Sequence, residues 1–316
     1  MCKEITPFVK WAGGKGQLVE TIEKRFPSEF GKSINRYIEP FVGGGALLIH
    51  ILSDPKYKNV NDIYINDVNI KLINTYLAIQ KSVEKICELL KKYQDEYNQP
   101  FDTKEERNEF RKKYYYHQRD EFNKFTDEDI SQAFQYGNPN IESAALFIFL
   151  NRTCFNGLYR VNRKGDYNVP MGSYSNPKIF DEENLKALSG LFQRVNLKSG
   201  PYYELSNLID DHTLVYCDPP YRPLTVTASF TSYSKYDFND DDQKALAEWA
   251  HKMYIENRGY FILSNADPHN SNESDDFMDE IYSDFTIERI KAKRRISRNV
   301  EGRKDIFELL IHKFPE

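Results

Sequence analysis

The chain is poor in the features that mark disulfide-framed, zinc-framed or membrane proteins. It holds 316 residues and four cysteines. Cys2, Cys87, Cys154 and Cys217 lie far apart, with no CxxC and no histidines at zinc-ligand spacing, which argues against a disulfide framework and a structural zinc site. No run of about 18 apolar residues occurs, so no segment reads as a membrane-spanning helix. An apolar leader core is missing from the N-terminus. Excess positive charge is missing as well: 43 Lys and Arg against 48 Asp and Glu leave a net charge of −5 and a pI near 5.8. Overall charge therefore gives no support to a nucleic-acid partner. Internal repeats and low-complexity tracts do not stand out either. These absences fit a reduced, cytoplasmic protein of ordinary globular composition, 40% hydrophobic and 29% charged. The length suffices for a large core, or for one domain carrying a sizeable insertion.

What is present is aromatic and unevenly charged. Phe, Trp and Tyr make up 14% of the chain, including 22 Tyr and 21 Phe. Most such rings belong in a core, and a few suit stacking on bases. Between Lys291 and Lys304 stand seven basic residues against the single acid Glu301. Such a run fits a solvated face as readily as a nucleic-acid contact.

The remaining segments are organised around Thr213-Leu-Val-Tyr-Cys-Asp-Pro-Pro-Tyr221. Thr213 to Cys217 is a short apolar run of strand formers, which predicts a buried strand. Asp218 falls at its carboxyl end, where open α/β sheets bind ligands. Pro219 and Pro220 have no N–H to give a ladder, so the strand stops in a rigid corner. That corner holds a carboxylate, carbonyls and the Tyr221 ring. It suits a planar amine, gripped at its N–H groups and stacked on its face.

Two glycine turns precede it. Phe8-Val-Lys-Trp-Ala-Gly-Gly-Lys-Gly16 resembles a P-loop only superficially, because Gln17 stands where the hydroxyl belongs. A helix is expected from about Gln17 to Arg25. Arg36-Tyr-Ile-Glu-Pro-Phe-Val-Gly-Gly-Gly-Ala-Leu-Leu48 reads as a strand, a glycine turn at 43–45 and an apolar helix. Glycines there admit positive φ and close approach of a ligand. The dinucleotide fingerprint is not met, since Leu48 replaces its third glycine, which disfavours a nicotinamide enzyme. Asn61-Asp-Ile-Tyr-Ile-Asn-Asp67 is a second strand ending in an acid. Its distance from the glycines suits a carboxylate on the two hydroxyls of a ribose. A helix N-cap explains Asp67 equally well on its own.

From Asn69 to Ile130 the composition changes to long helical patterns rich in Lys, Glu and Gln. Asp95 to Lys124 is almost free of aliphatics, which predicts an inserted helical unit exposed on one side. An apolar helix, Ala144 to Leu150, leads into a polar, aromatic and basic loop from Phe155 to Gly172. Its Asn-Gly and Lys-Gly-Asp steps predict a β-hairpin or ribbon. Arg160, Arg163 and Lys164 between rings could read a groove, arginine by bidentate bonds to guanine. A structural hairpin with incidental charge is the competing reading. The polar segment Arg222 to Tyr233 reads as a long loop beside the corner. Asp240 to Ala250 is a helix whose first-turn acids suit the positive end of its dipole. Tyr260–Leu263, Phe285–Ile290 and Ile306–His312 look like further strands.

Together these pieces resemble the Dam-type DNA adenine-N6 methyltransferases of the D12 class. The resemblance rests on Lys10-Trp-Ala-Gly-Gly-Lys15, Glu39-Pro-Phe-Val-Gly-Gly-Gly45, Asn66-Asp67, Cys154-Phe-Asn-Gly-Leu-Tyr-Arg160, Tyr167-Asn-Val-Pro-Met-Gly172 and Asp218-Pro-Pro-Tyr221. The segment after Tyr221 and the Arg294-to-Arg303 stretch match too, so it covers nearly the whole chain in order. It implies an α/β fold: a Rossmann-like sheet of seven strands, the last antiparallel, with an inserted helical target-recognition subdomain carrying a β-hairpin. The division expected is 1–69 and 181–316 for catalysis and 70–180 for target recognition.

The resemblance further implies methyl transfer from S-adenosylmethionine, leaving S-adenosylhomocysteine, to N6 of an adenine flipped out of double-stranded DNA, with no metal. Asp218, Pro219, Pro220 and Tyr221 would form the catalytic corner. Trp11, Lys15, Glu39, Pro40, Phe41, Gly43, Gly45, Asp67 and Tyr202 would hold the cofactor, with Asp218 beside it. Lys10, Leu158, Arg160, Pro170 and Tyr174 would read bases, and GATC is the expected site. Phe155 and Asn156 would fill the gap left by the adenine, while Arg152, Asn162 and Asn168 would contact phosphates. Ser173 stands where the bacterial Dam enzymes carry arginine. The family setting is bacterial or phage, as a monomer or weak dimer that is nucleoid-associated when acting. It serves methylation marking or restriction–modification beside an endonuclease. Because the Asp218 corner suits any planar amine, transfer to RNA, cytosine N4 or a protein amide stays open, as does a catalytically silent DNA-binding protein.

Overall fold

A computed structural model describes residues 4–222, 238–292 and 306–315. The loop expected after Arg222 and the Arg294-to-Arg303 stretch lie outside the described residues. The elements run α1 Val19–Glu23, β1 Arg36–Glu39, α2 Ala46–Ser53, β2 Asp62–Asp67, α3 Ile70–Tyr97, α4 Lys104–Lys124, α5 Asp127–Gln135, α6 Ile141–Thr153, α7 Glu182–Phe192, β3 Val195–Ser199, β4 Thr213–Cys217, α8 Asp240–Asn257, β5 Tyr260–Ala266, α9 Phe277–Ile281, β6 Thr286–Ala292 and β7 Ile306–Lys313.

The strands form one seven-stranded sheet in the order β3-β2-β1-β4-β5-β7-β6. Pairs among β1 to β5 are parallel, and β7 runs antiparallel to both β5 and β6. All five residues of β4 are buried, as expected of a parallel strand covered on both faces. Successive residues therefore feed opposite layers. Val215, Cys217, Phe261 and Leu263 pack under α8 and α9, whereas Leu214, Tyr216 and Ile262 join the layer of α2, α3 and α7. Each such Val, Leu, Ile or Phe side chain contributes about 1.5–3 kcal/mol on burial. Strand order reverses direction between β1 and β4, which opens a crevice at their carboxyl ends.

Three features depart from the sequence expectations. Helix α1 is shorter than Gln17–Arg25, because Leu18 N–H closes a turn on the Lys15 carbonyl at 2.7 Å. Strand β3 and helix α7 were not foreseen: only Val195 of β3 is buried, so the strand shows no apolar run. The Phe155-to-Gly172 loop doubles back without a ladder, pinned by isolated antiparallel bridges Cys154↔Met171 and Val161↔Tyr167.

Helix α3 links the sheet to the helices that follow. It is capped by the Asn69 side chain and broken at Ser82, whose φ and ψ of −147° and 38° are not helical. Before the break, Tyr76 donates its hydroxyl to the Gly43 carbonyl and Gln80 reaches the Phe192 and Val195 carbonyls. Beyond it, Tyr93 and Tyr97 meet Phe149 of α6 edge-on, at 5.6 and 5.5 Å. Helix α4 buries Arg111, Tyr115 and Phe122, so aromatics and one guanidinium do there what aliphatics do elsewhere. Arg111 donates to the carbonyls of Tyr97, Tyr174 and Ser175 and to the Asn98 side chain. It thereby ties the loop after Gly172 to the helices.

Candidate active site and nucleic-acid interface

The corner after β4 is clamped from both sides. Gln243, fully buried on α8, donates to the Pro220 carbonyl at 2.9 Å and accepts from Asn265 of β5 at 3.1 Å. Arg222 makes a two-pronged bond to Asp240 at 2.7 and 2.9 Å and another to Asp275 at 2.7 Å. Its guanidinium also lies over the Phe277 ring. Bidentate pairs of this kind fix direction as well as distance. The first-turn acids of α8 thus do more than cap it.

Inside the corner lies a small charge cluster. Lys15, only 5% exposed, places its ammonium 2.8 Å from Asp218 Oδ1 and 3.8 Å from Glu308 Oε2. The ammonium also donates to the Gly13 carbonyl at 2.9 Å and to the Tyr221 hydroxyl, and it sits over the Tyr221 ring. Tyr221 in turn donates its hydroxyl to Glu308 Oε2 at 3.0 Å. Burial pushes the Asp218 carboxyl up to about 6; Lys15 opposes the shift and the charge of Glu308 adds to it. The Tyr221 hydroxyl is pushed far up by burial, then by Asp218 and Glu308. On β1, Glu39 is buried and raised well above the usual carboxyl range by that burial, with the Asp218 charge adding and the Tyr37 hydrogen bond opposing.

A cradle opens beside it at the ends of β1 and β2. Gly43 has φ +48°, and a Cβ there would meet the Trp11 ring at 2.6 Å. Only glycine lets the turn pass so close to the indole. Gly43 N–H donates to Asp67 Oδ2 at 3.2 Å, and Asn69 N–H to Asp67 Oδ1 at 2.9 Å. Those two bonds fix the carboxylate, each of whose oxygens keeps a further lone pair for a hydroxyl. Burial raises the Asp67 carboxyl to about 6 against these two backbone bonds. Asn66 anchors the cradle floor, donating to the Pro40 and Gly200 carbonyls. Phe41 and Tyr202 stand 5.6 Å apart as tilted aromatic walls, and Gly45 opens α2. Trp11 stacks on Tyr159 at 5.7 Å, which joins the cradle to the loop side. A glycine turn, a carboxylate fixed by two backbone N–H groups and aromatic walls fit an adenosyl group.

The residues expected to face DNA differ in how firmly they are held. Phe155 is half exposed, and Asn156 takes a left-handed φ of 56°. Lys10 lies over the Tyr174 ring at 4.9 Å. With Arg152, Ser175 and Lys178 they line a cleft of about 340 Å³. Arg160 and Asn168 hold each other, Nε to Oδ1 at 2.7 Å. The Pro170 carbonyl accepts from Phe155 N–H, and the Leu158 carbonyl from the Tyr167 hydroxyl. Two residues expected at phosphates also bond within the chain. Arg152 directs Nε and Nη2 at the Pro7 and Phe8 carbonyls, and burial lowers its pKa. The Asn162 side chain closes the turn on Lys164 N–H, Asp166 N–H and the Asp166 carboxylate.

Sequence reasoning missed Glu308, Gln243, Arg222 and Asn151. Asn151 is buried, accepts from Lys10 N–H and donates to the Lys10 and Gly157 carbonyls. It stitches the first glycine turn to the Phe155-to-Gly172 loop. The available signal was a polar residue within an apolar stretch: Glu308 amid Phe307 and Leu309, Asn151 after Leu150.

A mixed sheet with a glycine cradle on one side of the crevice and a proline-stiffened carboxylate on the other defines an α/β methyltransferase. The family model for D12 class N6 adenine-specific DNA methyltransferases matches residues 11–296, and the chain belongs to that family. The Type II methyltransferase M.MjaIII of Methanocaldococcus jannaschii is 44% identical over 311 residues, covering 98% of this chain and 99% of that protein. The DNA adenine methylase of Haemophilus influenzae is 32% identical over 306 residues, 96% of this chain and 92% of its own. The DNA N-6-adenine-methyltransferase of Escherichia phage P1 is 31% identical over 290 residues, 91% of this chain and 33% of its own. No described helix is long and apolar enough to cross a membrane.

Proposed function

We propose that the chain transfers a methyl group from S-adenosylmethionine to N6 of an adenine flipped out of duplex DNA, within GATC. The observation that carries this is the Asp218 carboxylate, held at the end of a fully buried strand and 2.8 Å from the Lys15 ammonium of the first glycine turn. S-adenosylmethionine supplies an electrophilic methyl on a sulfonium. The chain's own residues do the rest. Asp67 holds the ribose hydroxyls, Gly43 admits the backbone close to the cofactor, and Tyr202, packed against Phe41, walls its adenine, with Trp11, Glu39, Pro40 and Gly45 shaping the cradle.

A target adenine inside a duplex is out of reach of any such corner, so it is extruded and stacked on Tyr221. Its N6 lone pair is delocalised into the ring and is a poor nucleophile. Accepting the N6–H groups at Asp218 and at the Pro219 carbonyl favours a pyramidal nitrogen whose lone pair points along the line of displacement. Positioning and fixed dipoles then supply the rate. The N–C bond forms as the S–C bond breaks, and one N6 proton leaves, with Asp218 the nearest base.

Residues 70–180 act as the target-recognition unit on this reading. Lys10, Leu158, Arg160, Pro170 and Tyr174 read bases, Phe155 and Asn156 fill the gap, and Asn168 is released to a phosphate when Arg160 turns to guanine. Arg152 and Asn162 hold the loop together. The test is incubation of the full chain with methyl-labelled S-adenosylmethionine and a GATC duplex, followed by nucleoside analysis. Label in N6-methyladenine supports the reading, and label confined to other sequences corrects the specificity alone. No transfer to any DNA by a folded chain refutes it.

A further inference from the structure

We propose that Glu308, on the antiparallel strand β7, is a positioning residue for methyl transfer: its carboxylate receives the Lys15 ammonium when the target amine claims Asp218. The inference rests on the reading of Asp218 as acceptor for that amine. In the ligand-free arrangement the ammonium stands 2.8 Å from Asp218 Oδ1, where an incoming N6–H would have to bond. It must give way. Lys15 is 5% exposed, so water is no ready partner, and a buried ammonium stripped of its counter-ion is strongly destabilising.

A second carboxylate waits one step further on. Glu308 Oε2 lies 3.8 Å from the same ammonium, already inside ion-pair range. That oxygen also accepts the Tyr221 hydroxyl at 3.0 Å, so a single group steadies both the ring beneath the base and the cation that leaves it. Strand register supports the placement. Glu308 pairs with Ala266 of β5 and Ile290 of β6, at the end of the sheet where Asp218 lies. Its neighbours Leu309 and Leu310 are fully buried. A carboxylate is costly in such a strand unless a cation balances it. Among the described residues, the charged and titratable groups facing Asp218 are Lys15 from the glycine turn, Tyr221 from the corner, Glu308 from β7, Glu39 from β1, and Tyr216 and Cys217 from β4.

Two variants of the full chain test this, assayed by single-turnover transfer to a GATC duplex across the pH range. Both are first checked for S-adenosylmethionine affinity by calorimetry. Glu308→Gln keeps the shape and removes the charge. It should bind the cofactor within about twofold of the wild type and lose about tenfold or more in rate at saturating DNA, the scale expected for losing one positioning contact. Its acid limb should move to lower pH, because the negative neighbour that helps hold the Asp218 carboxyl up is gone. Glu308→Asp keeps the charge but withdraws the oxygen by one methylene, so its rate should fall with the acid limb unmoved. A wild-type rate in either variant overturns the proposal. So does a slowed Glu308→Gln whose acid limb stays in place, which would make Glu308 part of the strand and nothing more. If the wild type itself transfers no methyl group to any DNA, the functional reading fails before Glu308 is at issue.

Discussion

Asp218 and Arg160 are both polar side chains aimed at a nucleic acid on this account, yet the chain holds them by opposite means. Asp218 ends a strand in which every residue is buried, and Gln243 and Arg222 brace the corner beyond it. Arg160 sits in a loop pinned by isolated bridges and is restrained by Asn168, a partner in that same loop. Chemistry tolerates misplacement of only about half an ångström, and a strand end braced by two helices supplies that precision. Sequence reading needs a donor that can leave one partner for another. The Arg160–Asn168 pair is poised for such an exchange, and no comparable freedom exists at Pro219 or Pro220.

Substitutions at the two sites should separate cofactor affinity from base discrimination. Asp67→Ala removes the carboxylate proposed for the ribose and should weaken S-adenosylmethionine binding about 10- to 100-fold by calorimetry, the range for a charged hydrogen-bonding group. Base discrimination at GATC should be largely kept. Arg160→Ala should do the reverse, costing about 1–3 kcal/mol of discrimination at one position in competition binding while cofactor affinity stays unchanged. Asn151→Ala should strike both sides through stability. Leaving the Lys10 and Gly157 backbone groups short of partners costs about 1–3 kcal/mol, read from denaturant unfolding.

The gentlest probe is pH. The Asp218 carboxyl, raised to about 6, must be ionised to accept N6–H. The rate at saturating cofactor and DNA should therefore rise as pH climbs through about 6, following the ionised fraction. The Asp67 carboxyl sits at about 6 as well, so cofactor affinity should weaken as pH falls through the same window. A rate flat from pH 5 to 8 would remove Asp218 from the chemistry.

Legibility in the sequence follows the same divide. The Asp218 corner could be read because two prolines can only stop a strand, and Asp67 because an acid closes a run of strand formers after a glycine turn. The seven-stranded order with its antiparallel last strand came from resemblance, not from periodicity. Strand β3 left no pattern, since Asn196, Lys198 and Ser199 hide it at the sheet's edge. Gln243 was masked by the acids that open α8, and Glu308 reads in isolation as a charge on a final strand. In the reading loop the turn residues predicted the path, but not the partners. Bonds such as Asn162 to the Asp166 backbone, or Arg152 to the Phe8 carbonyl, join side chain to main chain and impose no period. They give partners within the chain to residues that a motif match assigns to DNA.

On the proposed mechanism the carboxylate at the corner acts on the target amine and not on the cofactor. Asp218→Ala tests it most directly when S-adenosylmethionine affinity and single-turnover transfer to a GATC duplex are measured on the same preparation. Affinity should stay within a few-fold of the wild type while transfer falls about 10³-fold or more, as when a preorganised catalytic group is removed. Affinity and transfer lost in equal measure, or transfer that persists, would contradict the account.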